Sequence, residues 1–192
     1  MKPIYKGLLL AALQLALVLS LGAKLLYDRA TRPRAWAKAV PYDPNLPIRG
    51  RYLSLRLEVE APGIRPPSEA ERKGWESQRQ WAWALYGSPA VVALSAEDGR
   101  LIARRESGAE NYEAYREDRN TVQFRIGPDG KSFPVLLNPV VYFIPEHAED
   151  PSRRPQGEEL WVEVTIPKKG PPRPIRLGVK KGDGLITPLN LN

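Results

Sequence analysis

His147 is the only histidine of the chain, and it stands in the run Glu146-His147-Ala148-Glu149-Asp150. Carboxylates and an imidazole are donor types that hard and borderline cations accept. Neighbouring residues on a turn seldom converge on one ion, so this run is expected to be an exposed turn and no metal site is expected. A Ser-His-Asp triad would need the same histidine, and no G-x-S-x-G elbow accompanies it. A Ser–Lys dyad needs no histidine. Ser54 would be its nucleophile, but no lysine lies close to it in sequence. Glu58 and Glu60 share one face of a strand-like run, as an acid/base pair would, yet charged positions on the wet side of a half-buried strand account for them more simply. Lys181-Gly182-Asp183-Gly184 lacks the Lys-Ser/Thr that completes a phosphate loop and reads as a turn. There is no cysteine, which removes disulfides, thiolate zinc sites and thiol nucleophiles. No catalytic, cofactor-binding or metal-ligating residue is therefore expected.

The elements that would position such groups begin with an apolar segment. Gly7 to Ala23 reads GLLLAALQLALVLSLGA, without a charge. A membrane-spanning helix needs roughly 20 apolar residues. Ile4, Tyr5, Leu25, Leu26 and Tyr27 lengthen the stretch, and Lys6 and Lys24 are placed to snorkel to the two interfaces. A cleaved signal peptide would have a shorter apolar run, about 7–15 residues, ending at small residues. Ser20 and Gly22 would supply that site, but Lys24 follows at once. An uncleaved anchor over residues 1–27 is the expectation.

The net charge of +7 suggests nucleic acid until it is located. Lys2, Lys6, Lys24, Arg29, Arg32, Arg34 and Lys38 face the single acid Asp28, so residues 1–40 hold nearly all of the excess. A polybasic flank beside an apolar span suits anionic lipid headgroups, whereas a nucleic-acid-binding domain carries its charge on the folded part. The bilayer is the expected partner and nucleic acid is not. The count of basic residues after the span puts the domain in the cytoplasm by the positive-inside rule. A short basic tail leading straight into a span is also how a signal-anchor begins, which puts it in the periplasm. The bacterial inner membrane with a periplasmic domain is the expectation, with the cytoplasmic side as the alternative.

Behind the span, residues 28–48 read as a basic juxtamembrane and proline-punctuated connector, and residues 49–192 as one β-rich domain. Leu53, Leu55, Leu57 and Val59 alternate with Ser54, Arg56, Glu58 and Glu60, the period of a half-buried strand. Ser68-Glu69-Ala70-Glu71 has capping-box spacing and predicts a helix to about Tyr86, with Trp75, Gln78 and Trp81 on one face. Strands are predicted at 91–94 and 101–103 about the turn Glu97-Asp98-Gly99-Arg100, and at 122–126, ending at the Pro128-Asp129-Gly130 turn. Further strands are predicted at 140–144 (buried), at 161–166 and at 175–179. The fold class follows as mainly β (α+β), a transmembrane helix and then a small antiparallel barrel or sandwich with one inserted helix.

From Gly50 the sequence resembles the GDYXXLXY family. Gly50, Tyr52 and Leu55 match the motif itself, while Arg51 stands in place of its acid and Leu57 in place of its final tyrosine. Upstream, Tyr42-Asp43-Pro44 and Arg49-Gly50 stand at the family's Val-Asp-Pro and Arg-Gly positions. Downstream, Tyr142-Phe143-Ile144-Pro145-Glu146 is similar to its aromatic-Pro-Glu element. The motif residues are thus Asp43, Pro44, Arg49, Gly50, Tyr52, Leu55, Pro145 and Glu146. The resemblance implies a membrane-anchored bacterial protein of unassigned biochemistry, often encoded beside a multi-pass membrane protein, which is the protein partner it implies. A non-catalytic accessory or interaction domain is the functional expectation. A membrane-bound hydrolase of signal-peptidase-like Ser–Lys type and a secreted small-ligand binder are the alternatives.

Overall fold

A computed structural model describes residues 3–42, 52–78, 87–109, 114–127 and 130–191. The chain divides into two compact units, one up to Arg32 and one from Pro33 onward. The first is helix α1, Pro3–Thr31. Its stretch Ile4–Thr31 has a mean hydropathy of 2.1 over its most apolar window and none of that window is buried. At 1.5 Å per residue it is long enough to cross a bilayer core. The helix runs past Tyr27, where the anchor was predicted to end. Arg32 reaches back to Asp28 at 3.1 Å, and Arg29 lies in the last turn, where a cation meets the negative end of the helix dipole.

Among the described residues the second unit has ten strands: β1 Arg34–Pro41, β2 Tyr52–Glu58, β3 Ala90–Glu97, β4 Arg100–Arg105, β5 Asn120–Ile126, β6 Ser132–Leu136, β7 Val140–Phe143, β8 Glu158–Thr165, β9 Arg173–Lys181 and β10 Thr187–Pro188. Helix α2, Glu69–Ser77, lies between β2 and β3. The sheet order is β10-β9-β8-β1-β4-β3-β5-β6-β2-β7, and a further pairing of β1 with β2 closes a six-stranded barrel. Strands β8 to β10 extend from β1, and β7 is added to β2.

Strand β1 corrects the expected connector: residues 34–41 lie inside the sheet. Its Ala35, Ala37 and Ala39 are buried, while Trp36, Lys38 and Val40 look outward. Ala35 and Ala37 oppose Val164 and Val162 of β8, and Ala39 opposes Leu57 of β2. Small side chains here leave room for the larger Leu55, Leu57, Val162 and Val164, which fill the core with Leu101, Ala103, Val122 and Leu177. The β3–β4 hairpin has the predicted tight turn, with Asp98 and Gly99 at φ of 48° and 73°, the positive pair that a two-residue turn of this hand requires. The Gly99 carbonyl accepts the Trp36 N–H at 2.8 Å and so ties the hairpin to β1.

The predicted helix is present with both halves of its capping box, and its last described turn ends at Ser77. Trp81 and Tyr86 lie outside the described residues, as does the Pro128-Asp129 part of the following turn. Strand β6 was not predicted, since Pro134 interrupts its apolar run. Strand β7, predicted as buried, is only half so: Val140 is in the core but Phe143 is 75% exposed. It lies at the end of the sheet order and one of its faces looks outward.

Candidate functional site

The residues with the clearest common location are those of strands β2 and β7. Tyr52, Leu53, Ser54 and Leu55 stand opposite Phe143, Tyr142, Val141 and Val140 in an antiparallel ladder. Two segments far apart in sequence, the start of the motif strand and the aromatic run before Pro145, are thus neighbours. Leu55 is fully buried, and so is Leu57, which pairs with Ala39. The outward residues form an aromatic face. Tyr52 and Phe143 meet edge to face with centroids 6.3 Å apart, and the Arg56 guanidinium lies 3.9 Å above the Tyr42 ring. Val141 and Tyr42 are 43% and 46% exposed. Exposed aromatic residues beside an arginine are what binding surfaces are enriched in.

Next to this face, on the outer side of β1, β2 and β8, lies an ionic cluster around Lys38. Its Nζ is 2.7 Å from Glu159 Oε1 and 3.7 Å from Glu58 Oε2. Trp161 Nε1 donates to Glu159 Oε2 at 3.2 Å, and Arg100 lies 4.5 Å over the Trp161 ring. Burial pushes the Glu58 carboxyl up, the Glu159 charge adds to this, and Lys38 only partly offsets them. Burial also acts to raise Glu159, but the direct hydrogen bond and charge of Lys38 outweigh it and hold that carboxyl down. Burial likewise opposes the charge of Lys38, yet its two acids keep its pKa raised. The split between the two acids follows from distance, because the nearer one takes the lysine. A cleft of about 230 Å³ opens over the cluster, bordered also by Glu60 and Trp36.

The other residues singled out from the sequence are dispersed. Ser54 sits between the Tyr42 and Val141 strands, whereas Lys38 stands opposite Glu58, further along β2. His147 and Glu149 border a separate cleft of about 600 Å³ with Arg154, Leu189 and Leu191. Asp150 accepts hydrogen bonds from the Ser152 backbone and hydroxyl. Pro145 and Glu146 follow β7 after the buried Ile144 and are exposed. Asp43, Pro44, Arg49, Gly50 and Arg51 lie outside the described residues, and so does any pairing of Arg51 with Glu146. Trp75 is half-buried in α2 and borders a third cleft, of about 460 Å³, with Arg65, Glu71 and Phe124. The clustering of Lys38, Glu159, Trp161 and Arg100 was missed in the sequence. Trp161 falls in a predicted strand, but Lys38 falls in the stretch expected to be a connector, and the register that unites them is a long-range fact.

A family model described as GDYXXLXY protein matches residues 14–177. The chain belongs to the GDYXXLXY family. The match begins within α1 and ends in β9, so it includes part of the apolar helix as well as the barrel. No curated protein and no solved structure matches the chain. In the GDYXXLXY motif as it stands here, Leu57 occupies the final-tyrosine position as a core residue, and Tyr52 is the motif side chain on the aromatic face. The motif is in part a packing signature and in part a surface.

Proposed function

We propose that this chain is a single-pass bacterial inner-membrane protein whose β domain, on the periplasmic side, is a non-catalytic docking module for an integral membrane protein. The observation that carries the reading is the pairing of the two motif strands beside an exposed aromatic face. An enzyme would be expected to gather its signature residues around a reacting group. Among the described signature residues, Leu55 packs in the core while Tyr52, Pro145 and Glu146 lie outside it, and the nearby charged groups are engaged with one another. The apolar helix supports the tether, because it is long enough to span and a bilayer would cover its exposed leucines.

The test is co-purification of the full chain from its native membranes in mild detergent, beside Tyr52→Ser and Phe143→Ser variants. A stoichiometric membrane partner that is lost from both variants is the expected result. A chain that emerges alone in repeated extractions overturns the reading. The side of the membrane is tested separately. The chain lacks cysteine, so Asp183→Cys, in an exposed turn, gives one target for an impermeant thiol reagent on spheroplasts. Labelling of intact spheroplasts is expected, and protection until lysis would place the domain in the cytoplasm.

A further inference from the structure

The geometry points to β7 as a strand-addition site for an extended acidic segment of a partner polypeptide, a refinement that rests on the docking role proposed above. The direction of its backbone groups follows from the ladders. Tyr42 N–H donates to the Ser54 carbonyl, so Ser54, Arg56 and Glu58 address β1, while the Val59 N–H points the other way, to Pro134. Leu53 and Leu55 therefore bond across to Tyr142 and Val140, because alternate residues of a strand address opposite edges. Val141 and Phe143 are left with their N–H and C=O groups turned away from β2. No other strand pairs with that edge among the described residues. Their side chains stand on the solvent face, so an added strand would gain main-chain hydrogen bonds from the same two residues that present apolar contacts.

The flank of this edge selects the occupant. A cleft of about 320 Å³ beside Val141 is bordered by Pro139, Lys169, Pro171, Pro172 and Arg173. Lys168, Lys169 and Arg173 are exposed and have no acidic partner among the described residues. The prolines offer few backbone donors, so the cleft receives side chains while the strand edge receives backbone. Pairing of two β7 edges from two copies would bring like charges together, which is unfavourable. An incoming strand alternating acidic and apolar residues satisfies both the cations and Phe143.

The probe is the synthetic peptide Glu-Val-Glu-Val-Glu-Val-Glu with capped ends, titrated into the full chain in detergent micelles, with the lysine-for-glutamate peptide as control. Saturable binding that weakens with salt and slows exchange of the Val141 and Phe143 amides is expected. Val141→Pro removes one outward donor without touching the β2 ladder and is expected to weaken binding by about five- to tenfold. Lys169→Glu with Arg173→Glu, at exposed positions, is expected to weaken it by about tenfold or more and to flatten the salt dependence. Absence of binding, equal binding of the basic peptide, or protection at other amides would overturn the inference. So would a concentration-dependent dimer abolished by Val141→Pro, which would give the edge to a second copy. A membrane partner retained by Val141→Pro would sink strand addition while leaving the docking role standing, whereas a chain that has no partner at all would remove the docking role itself.

Discussion

A Cβ placed on Gly178 would stand 2.8 Å from both Trp36 Cζ3 and Ile186 Cγ2. Gly178 lies opposite Trp161 in the β8–β9 ladder, so the indole of Trp36 rests on bare backbone there. Gly178→Ala must displace a ring or a strand, and a cost of about 1–3 kcal/mol is expected, read as a lower midpoint in thermal or denaturant unfolding. Lys38 poses the opposite problem, since it separates two carboxylates. Lys38→Met would remove the cation that lies between Glu58 and Glu159. The side chain of Lys38 is about a third exposed, so the loss is expected to be modest, about 1–2 kcal/mol at neutral pH. Its pH dependence is diagnostic. Glu58 is already raised in the folded state and Lys38 is what holds it back, so removing Lys38 raises it further, and an acid raised on folding favours the fold at low pH and disfavours it once ionised. The penalty should therefore shrink as pH falls through the carboxylate range, a trend that unfolding curves at several pH values would reveal.

At the scale of elements, α2 rests on its cap more than on its packing, since none of its residues is fully buried. The Glu71 carboxylate accepts from the Ser68 backbone and hydroxyl, and Arg65 bonds both of its oxygens at 2.8 and 2.9 Å. The Arg65 hydrogen bonds, and then those of Ser68, pull its pKa down to about 2. Because the folded value lies below the ordinary one of 4.5, the contribution of Glu71 is complete above pH 4.5 and is lost between there and about pH 2. Glu71→Gln keeps the shape of the box and loses the charge. Amide exchange in residues 69–77 is expected to be faster in the variant at neutral pH, and to converge on the parent chain near pH 2. This cap was readable from four residues because its spacing is local. The alternation of β2 and the Asp98-Gly99 turn were readable for the same reason. Strand β1 was not: three alanines among basic residues carry little β signal, and what makes them a strand is the company of β8 and β2. The aromatic face was half readable. Tyr52 and Phe143 could each be singled out, but only the register brings the two rings together.

The whole β domain depends on contacts between distant parts of the chain. β1 closes the barrel against β2 and also carries β8, through pairs such as Ala37 with Val162. Topologies of this kind fold slowly, on a scale of roughly milliseconds to seconds for small barrels, because long loops must close before contacts reward them. Stopped-flow refolding of residues 33–192 by tryptophan fluorescence is expected to fall in that range, and a microsecond phase carrying the full amplitude would contradict it. The shared position of β1 also orders events during synthesis. While a ribosome is still making the middle of the chain, β1 can find β2 and β4 and complete the ring, but its other edge has no neighbour until residues 158–165 emerge. Until then that edge of β1 has no β8 to pair with, and a pause in translation before Glu158 would lengthen the time in which it can meet the wrong strand.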